Sequence, residues 1–78
     1  MSQYIATFHT HLAALRTGRT MEGRRISVQM RPVPRELSSA CGTCVCYESN
    51  YDCMDLLDSD VEALYLIEGG YVELAHWD

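Results

Sequence analysis

The sequence predicts an α+β fold, a ferredoxin-like β-α-β-β-α-β sandwich with an added C-terminal strand, in which two helices cover one face of a mainly antiparallel sheet. Three observations lead there. Residues 3–8, 26–30, 45–47 and 61–67 carry β-branched, aromatic or alternating apolar side chains. Two segments between them, from Thr10 and from Asn50, show helical spacing behind a capping residue. Finally, 78 residues allow one domain, 1–78, whose folding hides only about 60% of the surface of the unfolded chain, so one sheet under one helical layer is the core available.

Each element has its own justification. Residues 3–8 contain Tyr4, Ile5, Thr7 and Phe8 without glycine or proline, a strand composition. Thr10 is placed to cap a helix on which Ala14, Leu15, Gly18 and Met21 form one stripe, with Arg16 and Arg19 off it. Gly18 is expected to let the helix approach the sheet closely, and Gly23 to end it. Residues 26–30 alternate Ile, Val and Met with Ser and Gln until Pro32, the period of a half-buried strand. Pro32 and Pro34 then force extended chain into a loop or single turn over residues 37–43. After a short strand at 45–47, Asn50 is placed to cap a second helix reaching about Leu57, with Cys53, Leu56 and Leu57 inward. Residues 61–67 are the clearest strand, and Gly69-Gly70 turns it into a hairpin with residues 71–76.

A hydrophobic share of 47% with 22% charged residues is that of a folding chain rather than a disordered one. All six arginines and a single acid, Glu22, lie in residues 1–35, while residues 36–78 hold ten acids and no base. There is no lysine, so every fixed side-chain cation is a guanidinium suited to anions. The net charge of -5 argues against general nucleic-acid binding. The longest apolar run, residues 63–67, is far short of a membrane span, and residues 1–20 lack the basic start and apolar core of a signal peptide. The expectation is a cytoplasmic chain without membrane association, whose four cysteines are thiols or metal ligands rather than disulfides.

The chemistry is concentrated in Cys41-Gly42-Thr43-Cys44-Val45-Cys46. Cys53 on an apolar face reads as packing, and Cys46, alternating with Val45 on a strand, reads equally as packing or as a ligand. Cys41 differs, since it adjoins a glycine in a loop after two prolines, with Ser38, Ser39, Arg31 and Arg35 nearby in sequence. Turn N–H groups and a guanidinium favour the thiolate, the nucleophilic form. Cys41 and Cys44 make a Cys-x-x-Cys whose open readings are a redox pair, a metal half-site, or a sulfur-carrying thiol with Cys44 as resolving partner. A metal would draw on Cys41, Cys44, Cys46 and Cys53 or a histidine. His9 and His11 read as edge or capping residues and His76 as solvated. The acids between Asp52 and Glu62 lack calcium-loop spacing, and Tyr65, Tyr71 and Trp77 form no stacking platform for bases.

The stretch from Arg31 through Pro32-Val33-Pro34-Arg35 to Ser38-Ser39-Ala40-Cys41-Gly42, after residues 4–10 and before Glu68-Gly69-Gly70, resembles a small bacterial family described as selenium/sulfur carrier-like. Ala40 stands where that family usually has a third serine, and the resemblance does not supply cysteines at 44 and 46. It implies a non-enzymatic carrier without cofactor, in which Cys41 accepts sulfur or selenium as a persulfide or selenosulfide. Arg31, Arg35, Ser38, Ser39 and Gly42 would stabilise its thiolate, and a donor enzyme such as a cysteine desulfurase would be its partner. The alternative is a thiolate metal-binding or protein-interaction module. A sandwich this small leaves one sheet face uncovered, which a homodimer would bury.

Overall fold

The computed structural model describes residues 1–77. The elements are β1 (Ser2–Phe8), α1 (His11–Gly23), β2 (Ser27–Pro32), β3 (Thr43–Ser49), a single 3-10 turn (Met54–Leu56), β4 (Val61–Ile67) and β5 (Tyr71–His76). The five strands form one antiparallel sheet in the order β2-β3-β1-β4-β5. The class is α+β as expected, but with one helix instead of two.

Alternation divides the sheet cleanly. Tyr4, Ala6 and Phe8 of β1, Val45 and Tyr47 of β3 and Leu64 of β4 form the buried core with Ala13, Ala14 and Met21 of α1. Tyr4 and Tyr47, cross-strand partners, stack with ring centroids 5.3 Å apart. The intervening residues Ile5, Thr7, Cys44, Cys46, Ala63 and Tyr65 face the other way and meet each other across the same strands.

Thr10 caps α1 as expected: its Oγ1 accepts from Ala13 N–H at 3.1 Å and donates to Asp60 at 3.3 Å. The helix ends at Gly23, but the left-handed residue of its exit is Arg25, with φ 60°. Glycine at 23 is therefore not used for its conformational freedom.

The second helix is replaced by irregular chain. Residues 50–60 must carry the chain from the end of β3, opposite Ser2, to the start of β4, opposite Phe8. That return is about 20 Å along the strands and about 10 Å sideways. Eight helical residues would advance only about 12 Å. Aspartates also compete for backbone donors there: Met54 N–H donates to Asp52 Oδ1 at 3.1 Å and Asp60 N–H to Asp58 Oδ1 at 3.0 Å. One turn survives, entered through Cys53 at φ 56° and anchored by buried Leu56.

Gly18 gives a direct test of the helix–sheet packing. It is buried, yet a Cβ there would lie 3.9 Å from Met30 Cγ, an ordinary contact, so the expected close approach does not demand glycine. Since glycine inside a helix is about 0.5–1 kcal/mol worse than alanine, Gly18→Ala should raise the unfolding free energy by about that amount in urea. A lowered midpoint would show that the interface has no room for a methyl group.

Candidate functional site

The connection from β2 to β3, residues 33–42, holds Cys41. Its ends are drawn together by Val33 N–H donating to the Gly42 carbonyl at 3.0 Å, with Gly42 in the left-handed region at φ 74°. From there the loop reaches over the sheet end. Ser39 Oγ donates to the Phe8 carbonyl at 3.1 Å, and Ala40 N–H to Glu62 Oε1 at 3.4 Å. Cys41 is half-buried against the helix-side core, and its thiol donates to the Thr43 carbonyl at 3.4 Å. Thr43 Oγ1 lies 3.3 Å from His11 Nδ1.

The residues expected to serve Cys41 divide differently. Ser39 ties the loop to β1, Gly42 closes it, and Ser38 and Arg35 are exposed. Arg31 belongs elsewhere: it sits opposite Cys44 in the β2–β3 register, its guanidinium donates to Gln29 Oε1 at 2.9 Å through Nε, and its charge acts on Cys44 and Cys46. β2 runs through Arg31, and its register sets it beside the β3 thiols on the sheet face opposite α1.

That face carries the second group of thiols. Cys44 and Cys46 project from the same side of β3 with their sulfurs 3.8 Å apart. Cys44 is fully buried and also lies 3.7 Å from the Pro32 carbonyl. Cys46 lies on the floor of an open groove of about 370 Å³, also lined by Gln3, Ile5, Gln29, Arg31, Glu48 and Tyr71. The pair is asymmetric. Its hydrogen bond from Cys44 lowers Cys46 to about 7, helped by Arg31 and opposed by burial. Cys44 is raised, first by that same bond, then by burial and by the neighbouring negative charge. Above about pH 7 the pair therefore shares one proton, held on Cys44. The signal was present in the sequence as Cys-x-Cys on a strand, whose period of two puts both thiols on one face.

The four cysteines are not gathered into one site. Cys53 is fully buried within the residue 50–60 connection, 3.3 Å from Ser49 Oγ, at the left-handed entry to the 3-10 turn rather than on the expected helix face. Cys44 has Cys46, not Cys41, as its thiol neighbour. Among the described residues, no three His, Cys, Asp or Glu side chains converge to hold a metal ion. His9 is tied by its N–H to the Asp60 carbonyl at 3.1 Å, and His76 lies 3.4 Å from Glu73.

The shared proton has a measurable consequence. Alkylation of Cys46, followed on its own peptide by mass, should be half-maximal near pH 7. Cys44→Ala removes the donor and should move that midpoint up toward about 8.5, the ordinary thiol value. Arg31→Gln should move it upward by less. An unmoved midpoint in Cys44→Ala would mean that the two thiols do not share a proton.

Among the described residues, no helix is long and apolar enough to cross a membrane. Comparison with curated proteins and with solved structures gave no match. The model of one family, described as "Putative Se/S carrier protein-like", matches residues 3–58, a span running from β1 through the cysteine loop and both sheet thiols to the turn before β4. The chain belongs to this Se/S carrier protein-like family.

Proposed function

We propose that the chain is a sulfur or selenium carrier, not itself an enzyme, that holds the atom as a persulfide or selenosulfide on Cys41. What supports this is family membership over residues 3–58, a span containing a half-exposed loop cysteine. In loading, the Cys41 thiolate attacks the outer sulfur of a persulfide on a donor enzyme such as a cysteine desulfurase. The donor's S–S bond breaks, a new one forms at Cys41, and the donor leaves as its thiolate. Arg35, exposed on the same loop, supplies positive charge toward the Cys41 thiolate, while Ser38, Ser39 and Gly42 shape the loop. The cytoplasm suits a chain whose four cysteines are free thiols. A second copy seated on the sheet face opposite α1 would make the homodimer. The strand order, with β1 and β2 parallel on either side of β3, supports a ferredoxin-like ancestry in which the second helix has shrunk to a turn.

The test isolates one thiol. A chain with Cys44, Cys46 and Cys53 changed to Ser should gain one sulfur atom on Cys41 when incubated with a cysteine desulfurase and cysteine, and should lose it to reductant. Cys41→Ser should receive none from the enzyme. Failure of the first chain to load, or a stoichiometric metal removed from the parent protein only by chelator, would replace the carrier by the metal-binding module. Arg35→Ala should slow alkylation of Cys41 near neutral pH, and equal rates would remove Arg35 from the site.

A further inference from the structure

We propose that Cys44 and Cys46 form a second thiol site, on the sheet face opposite α1, that takes the outer sulfur of a small-molecule persulfide and releases it as hydrogen sulfide. The choice of persulfide as substrate rests on the carrier reading, but the site itself rests on geometry. Its two sulfurs are 3.8 Å apart on one face of β3, with Cys46 lining a groove and Cys44 fully buried beside it.

The groove suits a short peptide thiol. Arg31, Gln29 and Gln3 offer donors for its carboxylates and amides, while Ile5 and Tyr71 offer apolar wall. A molecule lying there presents its sulfur to Cys46 and not to the buried Cys44. In the first step the Cys46 thiolate attacks the outer sulfur of R–S–SH, giving Cys46–S–SH and R–S⁻. In the second, Cys44 attacks the Cys46 sulfur: Cys44–SH and Cys46–S–SH give the Cys44–Cys46 disulfide and H₂S. The two protein sulfurs lose two electrons, and the transferred sulfur gains them. A low-molecular-weight thiol then reopens the disulfide, two R–SH giving R–S–S–R.

Two features of the face fit this sequence. Cys44 is held protonated beside the Cys46 thiolate, so its proton is at hand for the sulfur that leaves as H₂S in the second step. Beside Cys44 in the β1–β3 register stands Thr7, fully buried, whose Oγ1 has no hydrogen-bond partner. A hydroxyl so placed can donate to the Cys44 thiolate as it forms. The disulfide itself is easily reversed. Residues two apart on a strand have Cα atoms about 6.6 Å apart and side chains projecting in parallel, so closing the bond draws β3 into a local bend, whose relief favours reduction.

The experiment uses the Cys41→Ser chain, reduced and freed of reductant, with the persulfide of glutathione as probe. One H₂S should be released per chain, and mass mapping should show Cys44 and Cys46 joined. Changing Cys46 to Ser in that chain should lower H₂S release by about tenfold or more, while changing Cys44 to Ser should leave one sulfur atom on Cys46 and equally little H₂S. Release unchanged without Cys46, or no joined pair in the Cys41→Ser chain itself, overturns the proposal. Because Cys41 is absent throughout, these outcomes are independent of whether a desulfurase loads it.

Discussion

β1 is hydrogen-bonded along both edges, and its register with β3 and β4 decides which way every chemically active side chain points. A one-residue slip of β3 would turn Val45 and Tyr47 out to solvent and drive Cys44, Cys46 and Glu48 under the helix. The Tyr4–Tyr47 stack resists that slip, since an aromatic pair at 5.3 Å adds about 0.5–1.5 kcal/mol beyond the area it buries. The fully buried Phe8, Leu64, Val45 and Met21 on the same side resist it further, because each would lose its packing. The position of the thiols thus follows from hydrophobic demands made by their neighbours.

From that register the electrostatics follow. Two thiols on one strand face need no reorganisation to share a proton, and burial makes ionising both unfavourable. Arg31 can favour the single thiolate because β2 is the edge strand next to β3, which puts its guanidinium on the same face without taking it from water. Pro32 fits there for the same reason, an edge strand having one side where a missing N–H leaves no ladder unpaired. Cys53 shows the contrast: it is equally buried, but its thiol meets Ser49 Oγ and the Tyr51 carbonyl, so it serves packing.

Much of this was legible in the sequence. The strands, the Thr10 cap, the glycine hairpin and the loop position of Cys41 all depend on near neighbours, and alternation or capping chemistry reports those directly. What was not legible depends on distance between elements. Nothing local says that residues 50–60 must span the whole length of β1, so Asn50 and the apolar residues after it read as a helix. Arg31 was grouped with Cys41 because they share a proline-stiffened stretch, whereas strand pairing sets it opposite Cys44. Read in sequence, Cys44 is a resolving thiol for Cys41, Cys46 is packing or a ligand, and both enter one four-thiol metal site, although the two-residue spacing already implies a pair on one face.

Close spacing in the Cys-x-x-Cys-x-Cys run also poses a chemical problem that the fold answers. A thiol next to a persulfide in the same chain strips its sulfur, and sequence alone puts Cys44 three residues from Cys41. In the folded chain Cys41 leans on the helix-side core, with its thiol turned to the Thr43 carbonyl, while Cys44 and Cys46 face the opposite side of a sheet whose central strands separate them. A sulfur on Cys41, in the proposed carrier, would lie toward the helix-side core, away from the face that carries the dithiol. In the proposed carrier, holding and discharging sulfur are thus separated within 78 residues by the alternation of one strand.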